Sequence, residues 1–331
     1  MLNFAKNRKR FFIISGLVIL AGIISLSVAQ LKLGIDFEGG YTMTVNFEET
    51  VEQTELRDTL TGLGYDNAII QQATEKSNDP EEPDKQYYLL KFKLQDDVNP
   101  DEEIADVKTT LTAENGTYAL ISDNFVSGSV ASRMMRNAGF AVLAAVIGIL
   151  IYITWAFRRL PKPFHYGVCA LIALVHDMLV MIGIFSILGW AANVEVNSMF
   201  IIATLTVLGY SVNDTIVVFD RIRENLLKGE GKSFAQTVNI SINESLGRSL
   251  ATSVTTLLVL LALYLFGGST ISTFVLALMI GVVSGTYSSI FIASQVLVSW
   301  EEGTFGRIYR KVKGIFSRSK PVKIGGDDQQ A

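Results

Sequence analysis

Asp214 is an acid in an apolar setting: it stands between MFIIATLTVLG (199–209) and TIVVF (215–219), with Asn213 before it and Thr215 after. A charged group near the middle of a bilayer costs about 2.5–3.5 kcal/mol on insertion scales, so such residues face a bundle interior or water. His176 and Asp177, inside another apolar run, and Arg248, opening a third, raise the same question. A buried carboxylate can carry a proton or a sodium ion. Paired with an arginine, it can equally be a fixed clamp between helices, and spacing alone leaves both readings open.

Helical spacing places Asp214 in a stripe, because Tyr210 and Ser211 lie four and three residues before it and share its face. In the next run Arg248, Thr252 and Thr255 or Thr256 recur at helical intervals and predict a second polar face. A short polar hairpin joins the two runs, so the spacing predicts a face-to-face contact of Asp214 with Arg248. His176 and Asp177 are adjacent, about 100° apart around a helix, and need not share a site. Gly281, Gly285 and Ser289 recur every fourth position and predict a close-packing face. Ser284 and Ser288, on the neighbouring line, also read as packing. Asp220, Arg221 and Arg223 in DRIREN read as a membrane-surface anchor.

These groups need spanning helices to hold them, and composition agrees. Of 331 residues, 49% are hydrophobic and 18% charged, the balance of a membrane protein. Segments near 11–29, 137–157, 165–189, 198–219, 247–266 and 271–299 each approach the about 20 apolar residues a helix needs to cross a bilayer. The expected organisation is a cytoplasmic N-terminus (1–10), a first span (11–30), an outer domain (31–132), a bundle of five further spans (133–303) and a basic cytoplasmic tail (304–331). Lys and Arg cluster at the N-terminus, after spans two and four, and after span six. The loops GWAANVEVN and FGGSTIST have none, so both termini are expected inside and the 31–132 domain outside. Arg133 and Arg136 oppose that rule locally. KNRKR with its apolar run and SVAQ imitates a secretory signal, but the run is longer than the usual 7–15 residues, so a retained span is expected.

Between the first two spans, strand and helix signals alternate. LGIDFEGGYTMTVNFE, DNAIIQQATE, QYYLLKFKL and TYALISDNFV read as strands, VEQTELRDTLTGLG and NPDEEIADVKTTLTAE as helices, and SNDPEEPDK as a turn. The order β-α-β-β-α-β is the ferredoxin-like, split βαβ arrangement. Acidic residues outnumber basic ones about three to one over 31–132. That charge suits solubility and repulsion from anionic lipid, and would also favour basic or unfolded polypeptide. Cys169 is the sole cysteine, and the chain has two histidines, so a disulfide framework and a His-rich metal site are not expected. With no phosphate loop, HExxH or nucleophile elbow, neither enzymatic activity nor a bound cofactor is expected.

GIDFEGG (34–40), HD (176–177), GYSVNDTIVVFDRIREN (209–225), NESLGRSLATSVTT (243–256) and GTYSSIFIAS (285–294) together resemble the SecF side of the SecD/SecF family, in the resistance-nodulation-division (RND) superfamily. The similarity runs from the first span to the last. The resemblance implies an α-helical polytopic membrane protein, a six-span RND-type half-bundle with an extracytoplasmic ferredoxin-like domain, in the bacterial plasma membrane. It implies a heteromer with SecD, acting with the SecYEG channel, the SecA pathway and a YajC-type accessory subunit on unfolded preprotein, in contact with lipid and not nucleic acid. The proton-motive force, rather than a cofactor, would drive the late steps of export. The family's acid falls on Asp214 and its basic partner on Arg248, with Asn213 and Thr215 flanking. Asp36, Gly39 and Gly40 match the first family motif, with Gly39-Gly40 a candidate hinge; His176 and Asp177 are secondary candidates. A stand-alone RND transporter half and a non-conducting structural subunit are the competing readings.

Overall fold

In the computed structural model, residues 3–66, 68–75, 85–94 and 99–303 are described. They include six helices long and apolar enough to cross a membrane, and the chain is a multi-pass membrane protein. The first is α1 (Arg8–Val28), followed by a short α2 (Ile35–Glu38), β1 (Gly40–Phe47), α3 (Gln53–Gly62), β2 (Ile69–Glu75), β3 (Lys85–Phe92), α4 (Pro100–Asn115) and β4 (Tyr118–Val126). The remaining spans are α5 (Gly128–Ala156), α6 (Pro163–Ala192), α7 (Ser198–Leu227), α8 (Phe234–Phe266) and α9 (Ser269–Ser288). A π-helical stretch, Ser289–Ala293, carries α9 on into α10 (Ser294–Glu301).

Two compact units result. One holds Gln30–Leu143 and Leu188–Ile202, the other the chain up to Ala29, Ala144–Ile187 and the chain from Ala203.

In the first unit the sheet order is β2-β3-β1-β4, with every neighbouring pair antiparallel. This is the split βαβ arrangement, with β3 between the two strands that the first helix connects. Alternation explains the core. Met43 and Val45 of β1, with Tyr88 and Leu90 of β3, point to one face, where Leu56 and Leu60 of α3 and Val107 and Leu111 of α4 cover them. The start of α4 carries its own signals. The Asn99 side chain accepts from the Asp101 N–H at 3.1 Å, Pro100 follows, and acids occupy the first turn. The expected first strand divides, because IDFE closes a helical turn before β1 starts. The predicted SNDPEEPDK turn lies almost wholly outside the described residues.

In the second unit α6, α7 and the α9–α10 helix are the most buried, and α1, α5 and α8 present apolar side chains outward. Ile13, Leu17 and Ile24 on α1, with Ile147 and Ile151 on α5, are exposed, as a hydrocarbon-facing surface requires. Helices outrun the predicted apolar segments: α8 starts at Phe234 rather than near 247, and α5 at Gly128 rather than near 137. Hydropathy reports only the apolar part of a helix, while its hydrogen-bond ladder continues into polar surroundings.

Glycines set the closest approaches. A Cβ on Gly22 of α1 would lie 2.8 Å from the Gly183 Cα of α6, so the two backbones touch without side chains between them. The predicted small-residue face of α9 packs on α7: a Cβ on Gly285 would meet Ser211, and one on Gly281 would overlap Val207. Gly183→Leu is expected to force α1 away from α6 and destabilise the protein by roughly 1–3 kcal/mol. Thermal unfolding of the detergent-purified protein should show a lower midpoint; an unchanged one would contradict the contact.

Candidate ion-coupling site

The membrane unit buries two carboxylates, and they are held differently. Asp177 of α6 is 1% exposed and carries a full set of donors. The Ser211 hydroxyl of α7 donates to Oδ2 at 2.6 Å and the Ser288 hydroxyl of α9 to the same oxygen at 2.7 Å. Ser284 of α9 donates to Oδ1 at 2.6 Å, and His176 Nδ1 lies 3.1 Å from Oδ1. With Nδ1–H directed at the carboxylate, His176 Nε2 is free to accept from the Ser15 hydroxyl of α1, 3.1 Å away. Short O–H···O⁻ bonds are charge-assisted and stronger than neutral ones, and they gain further in a low dielectric. One carboxylate therefore joins α6, α7 and α9 directly and α1 through its neighbouring histidine.

Three expectations change here. His176 and Asp177 share one site, because the ring turns back along its own helix to meet the adjacent carboxylate. The Ser284–Ser288 line does polar work rather than simple packing, since both hydroxyls bond the buried acid. Ser211, expected beside Asp214, donates to Asp177 instead.

Asp214 lies further along α7, buried, with its Oδ2 lacking any hydrogen-bond partner among the described residues. Ser249 of α8 and Ser289 lie beside the carboxyl, and the Ser249 hydroxyl is likewise buried and unpartnered. Thr215, fully buried, bonds the Ser211 carbonyl at 3.0 Å and meets the Ser289 hydroxyl at 2.9 Å. The π-helical stretch begins at Ser289. Consecutive serines thus serve different acids, Ser288 bonding Asp177 and Ser289 standing beside Asp214. A π-turn inserts one residue into a helical turn and recurs at functional sites. An open carboxylate oxygen lined by hydroxyls can accept a proton or a small cation that prefers oxygen ligands.

The predicted Asp214–Arg248 pair is not formed. Arg248 is exposed and makes no ion pair among the described residues. Its stripe-mates Thr252 and Thr255 are exposed too, and their hydroxyls bond back to Arg248 and Ala251 carbonyls of their own helix. The inward face of α8 is Ser241, Ser245, Ser249 and Ser253, one position out of register with the predicted stripe. Both registers repeat every four residues, and only small hydroxyls fit the tight contact. Ser253 makes that contact in person, 2.5 Å from Thr286 of α9 and 3.2 Å from the Tyr210 hydroxyl of α7. The ion pair that does bridge α7 and α8 is Arg221–Glu244 at 2.8 Å, with Asn225 donating to the same Glu244 oxygen at 2.7 Å. Arg221 thus holds the helix pair together beyond its expected anchoring. Asn213, adjacent to the acid, is exposed.

The first motif has a defined role in the other unit. Asp36 Oδ2 accepts from the Ser198 N–H at 2.7 Å, capping the first turn of α7 with a negative charge. The Gly34 N–H bonds the Val196 carbonyl at 2.7 Å, and Val196 N–H returns to Lys32 at 2.7 Å. Gly39 and Gly40 have φ of +79° and +134°, and a Cβ on Gly40 would come within 2.8 Å of the Phe92 carbonyl. Only glycine suits that turn.

Two family profiles match this chain: Protein export membrane protein SecD/SecF, C-terminal, over residues 106–303, and the SecD/SecF GG motif, over 24–51. A protein translocase subunit SecF from Thermobaculum terrenum is 44% identical over 313 residues, covering 95% of this chain and 98% of the relative. A protein translocase subunit SecDF from Bacillus subtilis is 36% identical over 302 residues, covering 90% of this chain and 38% of its own. The crystal structure of a Thermus SecDF, described as a translocon-associated membrane protein, superposes with a TM-score of 0.74 at 31% identity, covering 91% of this chain and 39% of that one. The chain therefore spans nearly the full length of the SecF relative but about two fifths of the SecDF chains.

Asp177→Ala is expected to lose about 3 kcal/mol or more, since it opens a void and removes the acceptor of Ser211, Ser284 and His176, Ser288 keeping only its bond to the Gly285 carbonyl. Arg248→Ala should stay within about 0.5 kcal/mol, as for an exposed residue without partners. Unfolding of the purified single chain measures both, and a large Arg248→Ala effect would restore the Asp214–Arg248 pair.

Proposed function

Since the chain belongs to the SecD/SecF family of protein-export membrane proteins, we propose that it is the SecF-type half of an ion-driven export machine with Asp214 as its coupling group. The observation that carries this reading is the open, hydroxyl-lined Oδ2 of Asp214, a buried carboxylate oxygen without a hydrogen-bond partner among the described residues. A carboxyl whose partners are incomplete has an oxygen to spare for an ion, while both oxygens of Asp177 are engaged by hydroxyls and an imidazole. SecD is the companion half, a reading supported by relatives that carry both halves in one SecDF chain. Arg248, Thr252, Thr255 and Asn213 are polar groups turned outward along spanning helices, a costly position that a companion bundle would relieve. The protein would lie in the plasma membrane with both termini cytoplasmic, act beside SecYEG after the SecA step on unfolded preprotein, and contact lipid and a YajC-type subunit. No bound cofactor is needed.

In this mechanism, one charge moving through 100 mV supplies about 2.3 kcal/mol, enough to shift a two-state equilibrium some tens of times. Ion uptake at Asp214 changes what Ser249, Ser289 and Thr215 can bond, and the π-stretch at Ser289 gives α9 a second register to relax into. Asp177 holds α6, α7 and α9 together while that occurs.

Export into vesicles under separately imposed proton and sodium gradients tests the proposal. Asp214→Asn is expected to abolish gradient-dependent stimulation while leaving ATP-driven export in place. Normal stimulation in that variant would instead support a non-conducting scaffold. The gradient that drives the wild-type protein identifies the ion.

A further inference from the structure

Where α1 and α8 begin, the membrane unit holds a polar hollow of about 410 Å³, lined by Lys6, Arg8, Lys9, Gln236, Asn239 and Glu302 among others. Arg8 pairs with Glu302 at 2.6 Å, so the acid of the hollow is neutralised in place. Lys6 and Lys9 are exposed and make no ion pair among the described residues. Their charges are therefore uncompensated. The apolar run of α1 starts at Phe11, which puts both lysines at the depth where hydrocarbon gives way to headgroups.

An apolar groove adjoins this hollow. The Phe4 N–H donates to Asn239 Oδ1 at 2.7 Å, and the buried Phe4 ring packs on Phe11 and Phe291. Asn239 lines the polar hollow, whereas Phe4 lines a groove of about 430 Å³ between α8 and the α9–α10 helix. Leu246, Leu250 and Leu257 line it along α8, on the face that Asn239 shares, because seven residues make nearly two turns. From Leu246 to Leu257 is about 16 Å at 1.5 Å per residue, about half of a hydrocarbon core of roughly 30 Å. The groove is thus one leaflet deep. Leu257, Val283 and Tyr287 also line a further apolar hollow, bordered by Ile14 and Val18 of α1. Leu250 lies about 160° around α8 from Arg248 and Thr252, so the groove faces away from the polar side assigned to a companion bundle.

A basic hollow at headgroup depth, joined to an apolar groove one leaflet deep, presents the two chemistries of a single phospholipid. We infer that this site holds one anionic phospholipid, with its phosphate at Lys6 and Lys9 and an acyl chain along Leu246, Leu250 and Leu257. Basic pockets beside spanning helices recognise such headgroups. Charge sets the choice, because a zwitterionic lipid brings an ammonium group back towards the lysines and an anionic lipid does not. The acyl groove separates a lipid from a soluble phosphate. The chain beyond residue 303 is itself basic, so like charge opposes its entry into the same hollow. This is a defined binding site beyond general contact with the bilayer, and it stands without the ion-coupling reading.

The full-length chain in a neutral detergent is titrated with phosphatidylglycerol and, in parallel, with phosphatidylcholine, and bound lipid is read by native mass spectrometry. Phosphatidylglycerol is expected to bind about tenfold more tightly; equal affinities would mean an unselective lipid annulus and overturn the inference. Lys6→Ala with Lys9→Ala should weaken phosphatidylglycerol binding about tenfold, leaving phosphatidylcholine binding and the lipid-free unfolding midpoint unmoved. The charge-matched control Arg158→Ala with Arg159→Ala should keep wild-type affinity. Equal loss in both double variants would mean diffuse attraction to basic surface, and no loss in either would remove the site. Glycerol phosphate, which lacks acyl chains, should bind about a hundredfold more weakly than phosphatidylglycerol. Comparable binding, or wild-type lipid affinity after Leu250→Trp with Val254→Trp, would replace the lipid with a soluble phosphate. A phosphatidylglycerol with a mid-chain diazirine should label the segments holding Leu250 and Val283 in preference to the one holding Ile147 and Ile151 on α5. Equal labelling of all three would overturn the assignment.

Discussion

The membrane unit depends on satisfying one carboxylate in a medium that offers no water. Asp177 meets that constraint with hydroxyls from α7 and α9 and an imidazole from its own helix. Partial satisfaction would be worse than an apolar side chain, so the positions of Ser211, Ser284 and Ser288 are fixed relative to one another. Close helix approach follows. A serine can reach the acid at 2.6 Å only where backbones come near, which is why a glycine, Gly285, follows Ser284 and stands against Ser211. Packing and hydrogen bonding are here a single requirement.

Against this rigid centre the incomplete coordination of Asp214 takes on meaning. Both acids are buried, both touch α7 and the α9–α10 helix, yet one has every donor it can use and the other has an oxygen with none. Natural bundles seldom leave a buried acceptor orphaned. Thr154, Asn225 and Gln295 also keep buried polar atoms without a partner among the described residues, but Asp214 is the carboxylate in that set. The change from α- to π-helix falls between the serines that serve the two acids, so the backbone irregularity sits where their demands differ.

Much of this architecture is legible in the amino-acid sequence, and the illegible part has one cause. Runs of apolar residues mark the spans, alternation marks β1 and β3, and Asn99-Pro100 marks the start of α4, because each signal is local. The Gly281–Gly285–Ser289 stripe also reads correctly, since close packing needs small residues whatever the partner. Rotation about a helix axis is not local. On α8 the Arg248–Thr252 register and the Ser245–Ser249–Ser253 register are equally periodic, and only the width of the gap to α7 and α9 chooses between them. The serines win because they are narrow. For His176 and Asp177 the adjacency that argued against a shared site is overcome by the side-chain torsions, which bring the imidazole onto its neighbour. The π-stretch has no composition signal at all; it begins where Ser288 and Ser289 face different acids.

The first motif shows how distant segments can be joined without a long chain of contacts. Asp36 accepts from the first N–H of α7, which joins the segment after α1 to the segment after α6 within one unit. Gly39 and Gly40 follow that cap with backbone angles that other residues adopt only at a cost, and the Phe92 carbonyl is too near Gly40 to admit a Cβ. Such a turn is closely fitted rather than loose, so the motif reads better as a fixed attachment of β1 to the α7 cap than as a free hinge.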